Sequence, residues 1–512
     1  NAYLKPHGLM FAPDVATSNR ASIGGMMGNN SCGAHSILYG RTVDHVLEQQ
    51  VVLADGSTAH FAEVSPEEWR AREAGDTLES RIYREVRRIC EEQAEEVEAR
   101  FPRIMRRVGG YNLDEIVRNR RWNLARLAVG SEGTLVTVTE AKLNLVPLPA
   151  HSGLLVSHFD DLLAALRSVP EIIPHEPAAV ELIDRIILDL TRDNLDLAPA
   201  RSFLVGDPEA ILVTEFYADT AEQLQARLQD LRRRLEQSGH GYAHAVLTAA
   251  PEKKNVWDVR KAGLGLLMGM KGDAKPAGFV EDTAVPVESL ADYIGEFRDL
   301  LAEYGLNACF YAHASVGCLH ARPILNLKSA ADQERMREIA SRVADLVLRY
   351  GGAISAEHGD GLSRSEFQER MFGARLYEAF RELKRAFDPD GIMNPGKIVD
   401  APPMNRHLRF GGSYQTVPVD TLLDFSRDGG FAGAVELCSG VGACRKRLDG
   451  SMCPSFRATR EEKHSTRGRA NILRLVLSGQ ANLGAGGQGL GAGSPEPGGA
   501  SSGPALQHLL PD

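Results

Sequence analysis

The stretch SGLLVSHFDDLLAALRSV, residues 152–169, decides the fold of the central part of the chain. Residues 152–159 predict a strand and residues 160–169 a helix, and the apolar run AILVTEFYA at 210–218 predicts another strand. Two later helices are predicted by apolar residues spaced three and four apart, which are Leu224, Leu228, Leu231 and Leu235 in one and Met336, Ile339, Val343 and Leu346 in the other. Alternating strands and helices predict an α+β layer, a sheet covered by helices, over about 150–400.

Residues 1–149 have a different texture from this central part. Short β-type runs alternate with glycine-rich segments such as SIGG at 22–25 and GNNSCG at 28–33. Tight turns of this kind predict backbone held close to another group. One helix rich in Glu and Arg is predicted at about 78–99, as a solvated surface helix.

Composition excludes several classes of protein. The chain has 512 residues, with 58 Lys and Arg against 68 Asp and Glu and a net charge of −10, which argues against a nucleic-acid-binding surface. No apolar run is long enough for a transmembrane helix. Seven scattered cysteines do not form a disulfide scaffold and favour a reducing compartment. No targeting peptide is visible in the opening NAYLKPHGLM, so we expect a cytoplasmic location.

The segments YAHASVGCLHARP (311–323) and GGAISAEHGDGLSR (351–364) give the sharpest chemical signal. They contain His313, His320, Glu357 and His358, and two imidazoles with a carboxylate suffice for a divalent metal with open coordination positions. The two histidines of the first segment would face opposite sides of an unbroken strand, so a bend at Gly317 is expected. The alternative is a set of scattered surface or core histidines.

Glycine and small polar residues are concentrated near the N-terminus. Gly24, Gly25, Gly28 and Gly33, with Ser22, Asn29, Asn30 and Ser31 among them, would let backbone N–H groups approach a phosphate or a flavin ring. Ordinary turn chemistry explains the same composition equally well. The G-x-G-x-x-G pattern of a Rossmann nucleotide site is absent from this block.

Three cysteines cluster in CSGVGACRKRLDGSMCP. Cys438, Cys444 and Cys453 have the spacing C-x5-C-x8-C, and the last is followed by proline, a recurring feature of iron–sulfur segments. A four-iron cluster normally has four thiolate ligands, and only three are present. Free thiols, or a zinc site short of one ligand, are the alternatives.

Six motifs in order give the sequence a family resemblance. They are PDVATSNRASIGGMMGNNSCGAHSILYGRTVDHV, VVLADG, VGSEGTL, HASVGCLH, EHGDG and FDPDGIMNPGKI. Together they resemble the FAD-linked oxidases, a family that includes D-lactate dehydrogenase, glycolate oxidase and D-2-hydroxyglutarate dehydrogenase, and most of all its long bacterial form fused to an iron–sulfur module. The resemblance covers about residues 10–470.

This resemblance implies a vanillyl-alcohol-oxidase-type FAD-binding domain (1–149, its first half missing), an α+β cap domain with an antiparallel sheet and the metal site (150–400), a linker (401–430) and a partial helical ferredoxin-like segment (431–477). Residues 478–512 contain ten glycines and only two charged residues, so their composition predicts a disordered glycine-rich tail. The family's pyrophosphate loop is expected before Asn1 and its second cluster motif beyond residue 477. Val136 stands where the family often has glycine. The sequence therefore resembles an internal fragment.

The resemblance also implies roles for individual residues. The metal, Zn or Mn, would be held by His313, His320 and Glu357, with His358 as catalytic base and Arg260 on the substrate carboxylate. Cys438, Cys444 and Cys453 would hold a 4Fe-4S cluster. The FAD-binding residues would be Ser22, Ile23, Gly24, Gly25, Asn29, Asn30, Gly33, Gly130, Ser131, Glu132, Gly133 and Thr134.

The implied reaction is oxidation of a D-2-hydroxy acid, D-2-hydroxyglutarate first, with hydride passing to the flavin and electrons to the cluster. D-lactate or glycolate oxidation is the alternative within the family. A metal-dependent hydrolase and a non-catalytic electron-transfer subunit are more distant alternatives. The expected partners are the substrate and an electron acceptor, either a quinone or an electron-transfer protein. A homo-oligomer and a peripheral position at the inner face of the membrane are further expectations.

Overall fold

The computed structural model describes residues 1–19, 21–192, 194–446 and 453–481. Most of the tail expected at 478–512 therefore lies outside the described residues. Within them, none of the helices combines the length and the hydropathy needed to cross a membrane. The expected α+β class is confirmed, and every strand pair is antiparallel.

The first part of the chain contains two small sheets and several short helices. Strand β2 lies between β3 and β4, and β1 pairs with β5. The strands are β1 (Leu9–Met10), β2 (Val46–Val52), β3 (Thr58–Phe61), β4 (Thr137–Leu143) and β5 (Val146–Pro147). The helices are α1 (Ile23–Gly28), α2 (Ser36–Tyr39), α3 (Thr42–His45), α4 (Pro66–Arg72), α5 (Leu78–Glu92), α6 (Ala94–Arg100), α7 (Leu113–Val117) and α8 (Leu124–Ala128).

Two of these helices differ from the sequence prediction. The SIGG segment forms the start of α1, whose first turn is capped by the Ser22 hydroxyl accepting from Gly25 N at 3.1 Å. The helix expected at 78–99 divides at Gln93 into α5 and α6. The prediction of a solvated helix is wrong for one face of α5, where Ile82, Val86 and other apolar side chains are buried. Their spacing gives the helix an apolar stripe that its many charges conceal.

An eight-stranded sheet forms the centre of the second part. Its strand order is β10-β13-β12-β7-β8-β6-β9, with β11 paired to β13 outside this path. The strands are β6 (His151–Phe159), β7 (Ala179–Asp184), β8 (Ala210–Ala218), β9 (Ala243–Leu247), β10 (Lys275–Pro276), β11 (Thr283–Ala284), β12 (Ala308–His313) and β13 (Cys318–Leu325). The helices are α9 (Leu162–Ile172), α10 (Arg185–Leu190), α11 (Ala221–Ser238), α12 (Ala250–Met268), α13 (Leu290–Glu303), α14 (Ala330–Arg349), α15 (Gly361–Arg364) and α16 (Gln368–Phe387).

Helices cover this sheet on both faces, so its strands are buried on both sides. In β6, Leu155 and Phe159 join a large apolar cluster that includes the leucine stripe of α11. Leu154 and Val156 point the other way, into a second cluster with residues of α12. Alternation along a strand explains this division. The face that packs against α12 is also the face that carries the histidines discussed below.

The chain returns to its first part after the sheet. Helix α16 contacts α5 and α6, where Phe372 and Phe380 pack against Phe101. Further along α16, Lys384 donates from Nζ to Thr134 O at 2.6 Å. Beyond this return, α17 (Gly430–Glu436), α18 (Pro454–Thr459) and α19 (Thr466–Leu477) form a small helical group. The return segment holds the 130–134 loop against the second part of the chain.

Gly317 provides a test of how the turn between β12 and β13, the two strands that carry His313 and His320, is built. It has φ +67 between β12 and β13, and an added Cβ would lie 1.9 Å from Val285 O. We expect Gly317→Ala to lower the free energy of unfolding by roughly 3 kcal/mol or more, because backbone strain and a backbone clash add. Urea unfolding would measure the loss.

Gly305→Ala is the matched control for that change. Gly305 has φ +66, but an added Cβ would meet nothing within 4 Å. The strain of a positive φ alone should cost about 1 kcal/mol. Equal losses in the two variants would contradict the close packing of Gly317 against Val285.

Candidate active site

His313 and His320 lie on two paired strands joined by a tight turn. Strand β12 ends at His313, Gly317 turns the chain, and β13 begins at Cys318. Because Tyr311 pairs with His320 and His313 with Cys318, both imidazoles lie on the α12 side of the sheet. Their ring centroids are 5.1 Å apart. The bend expected at Gly317 therefore brings the two rings together.

One buried carboxylate organises the loop that carries Glu357 and His358. Asp282 accepts hydrogen bonds from the backbone N–H groups of Ala356, Glu357 and His358 at 3.1, 2.8 and 2.8 Å, and from Ser355 Oγ at 2.8 Å. It is fully buried and has φ +75, an uncommon conformation for a residue with a side chain. The four donors fix the direction in which the two side chains leave the loop.

Three imidazoles surround the Glu357 carboxylate. Glu357 Oε1 lies 3.2 Å from His320 Nε2 and 3.2 Å from His358 Nε2, and Glu357 Oε2 lies 3.5 Å from His313 Nε2. The opposite nitrogen of His313, Nδ1, is 2.6 Å from Glu181 Oε1. A carboxylate behind an imidazole is the usual arrangement that orients a metal-binding histidine.

Three arginines balance the acidic groups of this cluster. Arg260 pairs with Glu181, Arg106 with Glu357 and Arg322 with Glu281, each at 2.6–2.8 Å. Burial raises the pKa of Glu181, but the charges of His313 and Arg260 outweigh it and lower that pKa to about 2. The pKa of Glu357 lies well below its usual range despite burial, because of Arg106 and His313. These carboxylates are therefore ionised at neutral pH.

The pKa values of the imidazoles in this cluster are shifted in different directions. Burial lowers the pKa of His320. Burial also disfavours the charged form of His358, but the carboxylates of Asp282, Glu357 and Glu281 outweigh it and raise the pKa to about 9. A bound dication would act against this rise, because a metal charge reverses the local electrostatics.

The donor set fits a divalent metal ion. The ligand atoms of His313, His320 and Glu357 lie within 4.8 Å of one another, and so do those of Glu281, His320 and His358. His320 Nδ1 and Glu281 Oε2 are buried without a hydrogen-bond partner among the described residues. Two nitrogens and a carboxylate match the preferences of zinc and of other first-row dications.

The residues expected to bind FAD fall into an exposed and a buried group. Ser22, Ile23, Gly24 and Gly25 lie on the surface, as does Gly133. The buried members are Asn30, Gly33, Gly130, Ser131 and Thr134, while Asn29 and Glu132 are half-buried. The two loops are hydrogen-bonded to each other, with Gly130 N donating to Met27 O and Glu132 N to Gly28 O, both at 2.8 Å.

Asn30 carries an unsatisfied polar atom in this region. Its side-chain oxygen accepts from Val43 N at 2.9 Å, while its Nδ2 is buried without a partner in the described parts of the chain. An orphaned donor is costly unless a ligand meets it. The Asn30 amide and the exposed glycines beside it therefore fit a polar cofactor such as FAD.

Not every residue of this set faces outward. An added Cβ on Gly33 would lie 2.2 Å from Asp14 O, so Gly33 allows close backbone packing. The Thr134 hydroxyl contacts Tyr111 Oη at 2.8 Å inside the core. The Glu132 carboxylate accepts from Asp360 N and Gly361 N at 2.5 and 2.9 Å. Glu132 thus ties the loop of the first part to the loop that follows His358.

Other contacts join the same two loops. Asn29 Nδ2 donates to Glu357 O at 3.4 Å, and Arg106, besides contacting Glu357, donates to Gly33 O at 3.0 Å. The histidine cluster therefore lies directly against the loops expected to bind FAD. Sequence reasoning placed these segments in separate domains and had no means of measuring the distance between them.

Another imidazole, that of His35, lies outside the histidine cluster and links the first part of the chain to the sheet. His35 Nδ1 is 2.5 Å from Asp14 Oδ2, and His35 Nε2 is 2.8 Å from Glu215 Oε2 on β8. The ring also stacks on Tyr217 and lies near Trp257. Burial disfavours the imidazolium, but hydrogen bonds to Asp14 and Glu215 raise the pKa of His35 to about 10. A charged His35 thus bridges two carboxylates.

The three cysteines expected to bind iron occupy the C-terminal helical group. Cys444, Cys453 and Phe456 form a small buried cluster, while Cys438 is half-buried. Thr466 N donates to Cys453 Sγ at 2.9 Å and Arg467 N to Cys444 Sγ at 3.4 Å, so the first turn of α19 faces both sulfurs. N–H donors directed at sulfur suit thiolate ligands of an iron–sulfur centre.

Sequence reasoning missed five residues of the site. Three are the acids Glu181, Glu281 and Asp282, and two are the arginines Arg106 and Arg322. A signal existed for Glu181, since it is an acid in the middle of the buried strand AVELID, where a charge requires a partner. Arg322 lies two residues after His320 on β13, so its position on the same face could have been read from the spacing. Glu281, Asp282 and Arg106 come from segments distant in sequence from the hairpin histidines, and only the fold brings them there.

Comparison with known proteins shows which family the chain resembles. Residues 148–398 match the family model described as FAD linked oxidases, C-terminal domain, and residues 1–62 match FAD binding domain. The chain is 38% identical over 94% of its length to D-2-hydroxyglutarate dehydrogenase of Pseudomonas putida, and 34% over 93% to that of Escherichia coli K12. It covers 49% and 48% of these proteins, about half their length. Glycolate oxidase subunit GlcD of Bacillus subtilis is 28% identical, with 76% of this chain and 71% of GlcD covered.

Solved structures show the same fold. The 4-ethylphenol oxidase of Gulosibacter chungangensis matches with a TM-score of 0.51 at 13% identity, covering 78% of this chain and 74% of the oxidase. p-Cresol methylhydroxylase matches with a TM-score of 0.50 at 15% identity, covering 78% and 73%. The vanillyl-alcohol-oxidase-type fold expected from the sequence is confirmed.

The His35 bridge predicts a pH-dependent contribution to stability. Its folded-state pKa, about 10, lies above the ordinary histidine value of 6.5, so the stabilisation is complete below about pH 6.5 and is lost as pH rises to 10. We expect His35→Gln to cost about 3 kcal/mol near pH 6, because the buried carboxylate of Glu215 and the half-buried carboxylate of Asp14 lose their shared cation. Unfolding of both proteins at pH 6, 8 and 10 would measure this difference.

His60→Gln supplies the control for that titration. His60 pairs with Glu48 on the surface, where its side chain is 44% exposed. Exposed pairs contribute roughly 0–1 kcal/mol. A His35→Gln deficit that stayed constant from pH 6 to pH 10 would disprove the charged bridge.

Proposed function

The chain belongs to the FAD-linked oxidase family, and we propose that it is the catalytic part of a flavin-dependent dehydrogenase that oxidises a D-2-hydroxy acid to the 2-oxo acid. One observation carries the proposal. His313, His320 and Glu357 converge next to His358, and Asn29 in the segment expected to bind FAD contacts the backbone of Glu357 at 3.4 Å. A set of ligands suited to a divalent metal, next to a base and to a loop expected to bind FAD, suits the oxidation of a hydroxyl group.

FAD would be held by the loops at 22–30 and 130–134, and when bound it supplies the hydride acceptor. The contribution of the protein is to hold the flavin and the loop that carries His358 in fixed positions. Glu132 fixes the backbone at Asp360 and Gly361, and Asn30 leaves its Nδ2 free for a polar ligand atom. The loop that carries His358 is thereby held at a constant distance from the flavin loops.

A divalent ion, Zn or Mn, would be held by His313, His320 and Glu357, and when bound it acts as a Lewis acid that lowers the pKa of a substrate hydroxyl. Glu181 orients His313 for this role through its contact with Nδ1. His358 takes the hydroxyl proton at Nε2, which lies 3.2 Å from Glu357 Oε1 and therefore in the same space as the ligand atoms.

D-2-hydroxyglutarate is the first candidate substrate. Four relatives of that name are 33–38% identical over most of this chain. D-lactate and glycolate remain alternatives, since a D-lactate dehydrogenase and glycolate oxidase subunits are more distant relatives. A metal-dependent hydrolase would be colourless, and a non-catalytic subunit would not be reduced by any hydroxy acid. Absorption spectra of the protein, recorded before and after a hydroxy acid is added, distinguish these functions from a flavin-dependent dehydrogenase.

Cys438, Cys444 and Cys453 would hold an iron–sulfur centre, which when bound accepts electrons one at a time. The N–H groups of Thr466 and Arg467, directed at two of the sulfurs, favour the thiolate form. Electrons would leave for a quinone or an electron-transfer protein. A homo-oligomer and a peripheral position at the cytoplasmic face of a membrane belong to the same proposal, to be tested by sedimentation and membrane fractionation.

The function is tested by anaerobic reduction of the flavin-loaded protein with D- and L-2-hydroxy acids. We expect bleaching of the flavin absorption by D-2-hydroxyglutarate and little by the L isomer. His358→Ala should keep the flavin but slow its reduction by roughly 100-fold or more, because the base is lost.

His60→Ala is the control for this variant, because the His60 side chain lies on the surface and contacts Glu48, which is not a residue of the site. Flavin reduction at the wild-type rate in His358→Ala would refute the assigned base. A flavin that no 2-hydroxy acid bleaches would refute the proposed function itself.

The iron–sulfur proposal has its own test. After anaerobic reconstitution with iron and sulfide, the protein should contain bound iron and a broad visible absorption. Cys453→Ala should lose most of that iron, whereas Cys90→Ala, at a buried thiol of α5, should retain it. Equal iron content in the two variants would contradict the assignment.

A further inference from the structure

Arg322 lies beside the histidine cluster and has no assigned role. It follows His320 by two positions on β13, so both side chains leave the same face of the sheet. Their Cα atoms are separated by roughly 6–7 Å, because a strand rises about 3.3 Å per residue. Tyr311, opposite His320, packs its ring against His320 at a centroid distance of 4.7 Å.

The guanidinium of Arg322 is buried but incompletely satisfied. Only 8% of the residue is exposed. Nη2 donates to Glu281 Oε1 at 2.6 Å, Nη1 contacts the Met268 thioether at 3.6 Å, and the guanidinium also interacts with the Tyr311 hydroxyl. Nε is buried without a partner among the described residues. A thioether is a weak acceptor. Strong donor capacity is therefore left over next to the metal-type cluster.

Arg260 differs from Arg322 in this respect. Its Nε and Nη2 both contact Glu181 Oε2, at 2.8 and 2.7 Å, and its guanidinium lies 4.8 Å from the Tyr311 ring. Two of its nitrogens are thus committed to the carboxylate that orients His313. The family resemblance assigns Arg260 to the substrate carboxylate, and the contact with Glu181 that it shares with His313 places Arg260 close to the expected metal ligands.

We propose that Arg322 binds the distal carboxylate of a dicarboxylic 2-hydroxy acid and so selects a diacid over a monoacid. This inference rests on the proposed oxidation of D-2-hydroxy acids. It names the residue that distinguishes D-2-hydroxyglutarate from D-lactate and glycolate, the substrates suggested by the names of the other relatives.

The size of the substrate matches the spacing along β13. The two carboxyl carbons of an extended five-carbon diacid are roughly 5 Å apart, since four C–C bonds of about 1.5 Å follow a zigzag. A molecule with its C1 carboxylate and C2 hydroxyl at the His313, His320 and Glu357 cluster would extend its other carboxylate to the level of Arg322. Lactate and glycolate end short of that level.

Glu281 explains why Arg322 can be buried before substrate arrives. One carboxylate oxygen neutralises part of the guanidinium charge, and the other, Oε2, is itself unpartnered in the described chain. A planar guanidinium can serve two carboxylates through different N–H groups. Arg322 thus remains charged and oriented, with its Nε and Nη1 groups left for a second anion.

The test compares D-2-hydroxyglutarate with D-2-hydroxypentanoate, which has the same chain length and a methyl group in place of the distal carboxylate. Both are used with the flavin- and metal-loaded protein. We expect Arg322→Met to lower the diacid to monoacid ratio of kcat/KM by roughly 100-fold, the discrimination typical of a lost charged hydrogen-bond partner. Calorimetric binding of 2-oxoglutarate and 2-oxopentanoate should show the same loss of preference without turnover.

Two further variants keep the test decisive. Glu281→Gln combined with Arg322→Met removes both members of the buried pair, so no unpaired charge is left to disturb folding. Arg349→Met changes an arginine of α14 whose side chain is 63% exposed and should leave the ratio unchanged. An unchanged ratio in both Arg322 variants would overturn the inference, as would an equal loss for the two substrates. Failure of the wild-type protein to oxidise any hydroxy acid would instead overturn the proposed function.

Discussion

The candidate site depends on one buried carboxylate, Asp282, whose hydrogen-bond donors include four from the loop that carries Glu357 and His358. Asp282 collects the N–H groups of three successive residues and a serine hydroxyl, so the backbone from Ser355 to His358 wraps around it. Successive N–H groups directed at one anion form a stable nest. Glu357 and His358 are adjacent and would otherwise point to different sides of an extended chain. The nest lets both side chains reach the two histidines of the hairpin.

The site belongs to two parts of the chain, and each holds the other in place. Arg106 and Glu132 come from the first part and contact the loop that carries Glu357, while His35 joins the first part to β8. Most of these contacts are buried and charged, and breaking one side of such a pair is costly because a charge is left unpaired. The loops proposed to bind FAD and the histidine cluster are therefore positioned as one unit, as the proposed hydride transfer over a short distance would require.

Local patterns predicted the parts of the fold that local forces determine. The leucine stripe of α11 and the strands at 152–159 and 210–218 appear where the spacing placed them, because apolar periodicity is a property of a single segment. Helix α5 was misjudged because its arginines and glutamates outnumber the apolar residues of its buried face. The residue types and spacing of two sequence segments also predicted a metal-binding and catalytic cluster of His313, His320, Glu357 and His358. The structure brings these four side chains together. The partners Asp282, Glu181 and Arg106 could not be found in this way, because packing of distant elements alone brings them to the site.

The charges of the completed cluster explain why an anionic substrate suits it. Four carboxylates, those of Glu181, Glu281, Asp282 and Glu357, face the guanidinium groups of Arg106, Arg260 and Arg322, which leaves one negative charge in excess. With neutral imidazoles as ligands, a dication would reverse this balance to a net positive charge. Charges of His313 and Arg260 lower the pKa of Glu181, and those of Arg106 and His313 lower the pKa of Glu357, so arginine and imidazole charges together hold these two carboxylates ionised. A bound hydroxy acid would place its C1 carboxylate against this net positive charge, and a diacid would in addition place its distal carboxylate against the guanidinium of Arg322. The groups that orient the ligands therefore also favour an anionic molecule.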